Sequence, residues 1–444
     1  MLRDIVVTAL IVGSLPLCFL RPWVGVLVWC WIGYMNPHRL TWGFAYNMPF
    51  SQMVAIATLL GVPFTGERSP FPRSREVYLL ILLWLTFVLS TVFAIYPKDA
   101  WSQLEKVSKI LLMTFVPLVL FQNQKKLYAL LLVVALSIGF FGLKGGIWAI
   151  LTGGQYKLTG PPDSFIAGNT NLGLALNMML PILFFLAREE SRKWLRLLLY
   201  AMFFMSIVSI LVTYSRGSFI GLAVVLAMLL LKSRKKILGM LLLTCGIFVG
   251  LSMLPGMWFE RVETIKTYQE DRSSMARVRA WQLSYKLALD RPLLGGGFET
   301  FSDEIYRRYL PEELLESADV GTGAHSIFFQ VLAEHGFTGL LFYVSLLVFT
   351  ILSLRKMARG GEEDPELRWI RGSASMLQVS IAGFVASGFF LSMCYFDLFY
   401  LLVAVTIILK SLVSQRLIDR QIAENPTQVS SNLLVRGLRS SSKS

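Results

Sequence analysis

Apolar residues along this chain gather into blocks at 4–20, 22–36, 48–64, 77–95, 107–122, 127–151, 169–187, 195–214, 217–231, 237–254, 337–354, 373–393 and 397–413. Most approach the roughly 20 residues that cross about 30 Å of bilayer hydrocarbon as helix, whereas barrel strands would be shorter and would alternate. The pattern predicts an all-α polytopic membrane protein. Blocks 4–20 and 22–36 are short and separated by Arg21-Pro22, and they read as one broken or partly re-entrant element. That reading gives about 12 transmembrane helices with both termini cytoplasmic.

One long polar interval interrupts the pattern, and its core runs from Ser273 to Gly336. The chain therefore divides into N-terminal transmembrane helices (1–254), a large helical loop with the candidate catalytic segment (255–336), C-terminal transmembrane helices (337–413) and a polar tail (414–444). Basic residues set the orientation. Arg68, Arg73 and Arg75; Lys125 and Lys126; Arg188, Arg192 and Lys193; Lys232, Arg234, Lys235 and Lys236; and Arg355, Lys356, Arg359, Arg368 and Arg371 fall in alternate connections, which the positive-inside rule assigns to the cytoplasm. The connections 96–106, 152–168, 215–216, 255–336 and 394–396 then face outward, and so do His38, His325 and His335.

Composition supports the membrane reading. The chain is 55% hydrophobic with a mean hydropathy of +0.59, and only 16% of it is charged, against about a quarter in soluble domains. The net charge of +14 lies in short loops between apolar blocks, so it reads as topology, and no nucleic-acid partner is expected. Cys18, Cys30, Cys245 and Cys394 show no CxxC spacing, and neither a disulfide framework nor a metal site is indicated. The first block has the outline of a signal peptide but no convincing small-residue cleavage site, so it reads as a retained anchor.

Candidate chemistry sits on the outward side. Arg216, in TYSRGSF, occupies a connection so short that its guanidinium belongs at the mouth between two helices. It reads either as an anion ligand or as an interfacial arginine reaching headgroup phosphate. Arg277 and Trp281 are four apart in RVRAWQLSYKLALDRP and share a helix face, while Arg279 points elsewhere. A surface arginine on an amphipathic helix is the alternative for Arg277. LLGGGFETF lacks the Lys-Ser/Thr of a phosphate loop and reads as a tight turn where backbone approaches a neighbour.

His325 opens the helical run HSIFFQVLAEHGFTGLL after GTGA. A helix N-terminus disfavours added positive charge, so this imidazole stays neutral and suits a general base, with a structural cap as the alternative. Glu334 lies about 180° round the same helix and cannot orient it without a bend. His335, next to Gly336, reads as a helix-to-membrane junction. No closely spaced acid pair for a divalent cation appears on the outward face, so an anionic substrate would be met by arginine forks without a cofactor.

TYSRGSF, Arg277 with Trp281, PLLGGGF, and His-Ser followed by LAEHGFTGLL, in this order and around the largest outer loop, resemble the O-antigen ligase and polymerase superfamily of bacterial envelopes. RPWVGVLVWCWIGYMNPHRLTWGFAYNMPF (21–50) and GLKGGIWAILTGGQYKLTGPPDSFIAGNTNLGLALNMMLPIL (142–183) look like its branch of exosortase-associated O-glycosylation ligases. The resemblance implies a GT-C-like architecture and transfer of a glycan from undecaprenyl diphosphate to a sugar hydroxyl of the lipid A core, at the periplasmic face of the inner membrane and without metal or nucleotide. Arg216 and Arg277 would then bind the diphosphate and His325 would be catalytic. His38, Arg39, Arg279 and Trp281 are candidate contacts for glycan or acceptor, whereas Lys144, Lys157, Asn169 and Asn171 fit the branch pattern without an assigned role. Transfer to protein, glycan polymerisation on the carrier, and a glycolipid flippase are the competing functions.

Overall fold

The computed structural model describes residues 1–232, 272–311, 323–359 and 364–424. The predicted block at 237–254, Arg234, Lys235, Lys236, Cys245, the Glu312-Glu313 pair and the tail beyond Glu424 lie outside the described residues. Among the described residues the secondary structure is helical, with no strand.

The helices are α1 (Leu2–Leu20), α2 (Pro22–Met35), α3 (Phe50–Gly61), α4 (Arg75–Val92), α5 (Pro97–Leu120), α6 (Gln124–Leu151), α7 (Asn169–Glu189), α8 (Lys193–Val212), α9 (Arg216–Lys232), α10 (Arg272–Asp290), α11 (Asp303–Tyr309), α12 (Ile327–Arg359), α13 (Pro365–Gly388) and α14 (Asp397–Glu424). Every predicted apolar block within the described residues falls on one of them. Seven are long and apolar enough to cross a membrane, namely α1, α4, α6, α7, α8, α12 and α14. The protein is an all-α polytopic membrane protein.

The apolar window of α7 is 83% buried and that of α14 78%, against 17% for α1, so the first two form the interior and α1 a lipid-facing edge. Small residues let neighbouring helices close up, because tight backbone approach is a main source of helix association in lipid. A Cβ on Gly146 of α6 would lie 2.5 Å from the Met205 carbonyl of α8, and the Ser209 hydroxyl of α8 donates to the Gly142 carbonyl at 2.7 Å.

Connections predicted to share a side do meet. On the basic side, Lys126 pairs with Glu67 at 2.6 Å, and Arg416 and Arg420 hold Asp364 at 3.2 and 3.0 Å. On the other side, the Ile95 N–H donates to the Gly296 carbonyl at 2.8 Å and the Leu158 N–H to the Val212 carbonyl at 3.1 Å. The last span also carries a charge, Lys410, which Glu76 of α4 neutralises at 2.7 Å.

The chain start departs from expectation. Asp4, at the start of α1, accepts the N–H groups of Gly43 and Ala45 at 2.9 and 3.3 Å, while a Cβ on Gly61 would lie 2.1 Å from the Phe19 carbonyl near the end of α1. Helices α1 and α2 are therefore two antiparallel elements that fold back at Arg21, and the end carrying Met1 lies beside the segment that follows His38. The proline after Arg21, with no N–H to give, starts the second helix.

Candidate active site

On α10, Arg277 and Trp281 are one helical turn apart. The Trp281 ring lies flat on Phe329 of α12, with centroids 5.0 Å apart and planes at 9°, and Phe389 meets it edge-on at 5.7 Å. Its indole N–H donates to the Ala324 carbonyl at 3.0 Å, which fixes the turn entering α12. The next residue, His325, has φ +47° and donates its backbone N–H to Ser392 Oγ at 2.8 Å. Its imidazole is half-buried. Burial first, and then the nearby Arg277 charge, hold its pKa below the usual histidine value, so at neutral pH it is uncharged and able to accept a proton.

Arg216 begins α9. Ser215 Oγ caps that helix by accepting the Ser218 N–H at 3.2 Å, and Tyr214, at φ +52°, donates its hydroxyl to the Gly154 carbonyl. A Cβ on Gly217 would lie 3.2 Å from Phe390 Cβ, and one on Gly323 would lie 3.2 Å from Ser392 Oγ. The turn at the end of α13 is thus touched on one flank by the start of α9 and on the other by the His325 segment. A guanidinium at a helix N-terminus combines two features that attract anions.

Beside this turn lies a cavity of about 400 Å³ whose wall includes Gln103, Phe165, Glu299, Gly323, Ala324, Gln330, Glu334 and Ser392. Glu334 is buried and takes the Tyr395 hydroxyl proton, with Gln330 Nε2 at 3.5 Å from its other oxygen. His335 is buried behind it, with Nε2 2.6 Å from Tyr395 Oη and Nδ1 2.6 Å from Ser90 Oγ. The Ser90 hydroxyl also donates to the Phe87 carbonyl at 3.0 Å, so both nitrogens of His335 sit in one hydrogen-bonded chain that runs from Phe87 to Glu334.

The glycine cluster clamps this wall. The Gly296 and Gly297 N–H groups donate to the Ala333 and Glu334 carbonyls at 2.8 Å each, and the Phe337 N–H donates to the Pro292 carbonyl at 2.8 Å. Here α12 breaks at Gly336, where φ is +65° and ψ −166°. The cluster is the close backbone approach that its sequence predicts.

The other predicted residues divide. Arg279 is buried on a different face of α10 from Arg277. His38 is buried in a short turn (Pro37–Leu40), and burial followed by the Arg39 charge push it down to about 4. Arg39 sits 4.6 Å over the Tyr46 ring and 3.5 Å from Asp163, which also accepts the Tyr46 hydroxyl at 2.9 Å. Neither His38 nor Arg39 lines the cavity. Arg39 and Tyr46 tie the first helices to the 152–168 connection, whose Phe165 does line it. Lys144 and Lys157 are exposed. Asn169 donates to the Thr213 carbonyl at 2.8 Å, and Asn171 donates to the Phe165 carbonyl at 3.1 Å while lining the cavity. Among the described residues no group of three or more His, Cys, Asp or Glu side chains could hold a metal ion.

Residues 200–344, which carry Arg216, Arg277, Trp281, His325 and Glu334, match the family model described as O-Antigen ligase. That match supports a likeness of this part of the chain to the O-antigen ligase and polymerase superfamily. Residues 2–191, which include both stretches of the narrower branch likeness, match the model of a family of unknown function. A comparison with curated proteins finds no match.

Sequence reasoning passed over Glu299, Gln330, Tyr395 and the buried role of His335. A signal was present for His335: a histidine among Phe87 and Phe298 rings needs hydrogen-bond partners for both nitrogens. The junction reading placed it correctly along the chain, beside the helix break, but not in the interior.

Proposed function

We propose that this protein is an inner-membrane glycosyltransferase of the O-antigen ligase type, passing a glycan from undecaprenyl diphosphate to a sugar hydroxyl of the lipid A core on the periplasmic side. The observation that carries this reading is the meeting of Arg277 and His325 under the Trp281 clamp, across one turn from the start of α9 at Arg216. The diphosphate lies against the two arginines, which stabilise negative charge as it develops on the leaving group. His325 takes the proton of the acceptor hydroxyl. The oxygen attacks the anomeric carbon, the bond to the diphosphate oxygen breaks with its electron pair retained by the diphosphate, and the single displacement inverts the anomeric centre. No step in this scheme draws on a metal. Holding two membrane-anchored substrates in register supplies much of the rate.

The same arrangement would serve a polymerase or a ligase acting on protein, and the acceptor decides among them. A flippase would leave the glycan on its carrier. The test is transfer by purified protein in liposomes, with the product followed to lipid A core, to protein, or to lengthened carrier-linked glycan. His325→Ala should abolish transfer with carrier binding retained, and Arg216→Ala and Arg277→Ala should weaken both. Full activity in His325→Ala, or dependence on added Mg²⁺, would overturn the scheme.

A further inference from the structure

The cavity beside His325 differs in chemistry from the arginine pair. Glu299 and Glu334 line it with the amides of Gln103 and Gln330 and the rings of Phe165 and Phe396, and among the described residues its lining includes no lysine or arginine. Its volume of about 400 Å³ falls in the range of small-molecule sites, roughly 300–1,000 Å³. Gln330 Oε1 is buried without a hydrogen-bond partner, an acceptor that a ligand hydroxyl would satisfy. Carboxylates and amides bind hydroxyl groups, and flat rings cover the apolar face of a sugar. A phosphate or uronic acid would instead meet the Glu299 carboxylate, of its own sign, in a partly desolvated site.

We infer that this cavity is the acceptor-sugar subsite and that it selects a neutral or amino-bearing sugar over a phosphorylated or acidic one. The inference rests on the transferase reading above. The donor's first sugar is bonded to the diphosphate, and the Glu299 carboxylate beside that group would oppose its binding. The acceptor hydroxyl, by contrast, must reach His325, and Gly323, Ala324 and Ser392, which flank or hold that residue, form part of the cavity wall.

The test uses the full chain in lipid nanodiscs with three probes, methyl glucoside, methyl glucosaminide and glucose 6-phosphate, followed by saturation-transfer NMR. The first two should bind, with glucose 6-phosphate roughly ten-fold weaker or more. Glu299→Gln should narrow that gap, and Gln330→Ala should weaken the two phosphate-free probes, while both variants bind carrier lipid as before. Methyl glucoside should compete with the acceptor in the transfer assay. Binding of none of the probes, equal binding of glucose 6-phosphate, an unchanged gap in Glu299→Gln, or competition with the carrier-linked donor would each overturn the assignment. Wild-type protein that shows the sugar selectivity but transfers no glycan would sink the transferase reading and with it the acceptor role. Transfer without the selectivity would sink the subsite alone.

Discussion

The indole N–H of Trp281 donates to the Ala324 carbonyl at 3.0 Å and so ties α10 to the residue preceding His325. Trp281→Phe keeps a ring on Phe329 and removes that bond. One lost hydrogen bond costs about 0.5–1.5 kcal/mol, and here the loss falls on the placement of the base. Transfer should drop about ten-fold in kcat, since small misplacements of a reacting group are costly, while carrier binding stays within about two-fold. Steady-state kinetics and a carrier-lipid binding assay on reconstituted protein check this, and unchanged kcat would remove Trp281 from the positioning of the site.

Transfer should survive mild acid. His325 acts as a base only when neutral, and its pKa lies below the ordinary 6.5, so activity should hold as pH falls past that value and decline only below it. Arg277→Gln removes the second cause of the depression and leaves burial. The acidic limb of the pH profile should therefore move to higher pH, alongside weaker carrier binding. A profile whose limb stays in place in Arg277→Gln would show that the guanidinium does not act on this imidazole.

The two nearby histidines should fail in different ways. His325→Ala should lose transfer with its thermal unfolding temperature in detergent nearly unchanged, because the residue is half-buried and its hydrogen bond to Ser392 comes from the backbone. His335→Ala would remove one hydrogen bond from each of Ser90 and Tyr395 and leave a cavity among the Phe87 and Phe298 rings, and should unfold several degrees lower. Equal thermal losses in the two variants would contradict this division of roles.

Gly297→Ala should destabilise the protein by more than about 1 kcal/mol, in the range for a strained left-handed residue. Gly297 holds φ +86°, and an added Cβ would lie 2.3 Å from Ala94 Cβ. The variant should unfold at a lower temperature and lose transfer in proportion, which a thermal scan paired with an activity assay would show.

Much of the fold is legible in the chain because lipid imposes a simple rule: backbone polar groups must be satisfied within a helix, so apolar blocks mark helices directly. Arg277 and Trp281 were legible as a pair through helical spacing, and His325 through the breaker before it. The antiparallel α1 and α2 were not, because Asp4 finds its partners at Gly43 and Ala45 through contacts that no local pattern encodes. Tyr395 and Ser90 were missed for the same reason, and Glu334 was weighed only as an orienter of His325. They come from α12, the turn before α14, and α4, and only the packed bundle brings them together. His38 and Arg39 show the opposite case. They are polar residues outside the cavity: Arg39 meets a ring and a carboxylate that fasten one connection to another, and His38 packs edge-on against Phe50.

The backbone clamp between the glycine cluster and α12 has a consequence for local motion. Its amides at Gly296 and Gly297 bond to carbonyls immediately before the break at Gly336, and the side chains behind them reach two other segments of the chain. That wall cannot open by fraying one helix end, so its amide hydrogens should exchange with solvent deuterium only as slowly as the whole bundle comes apart.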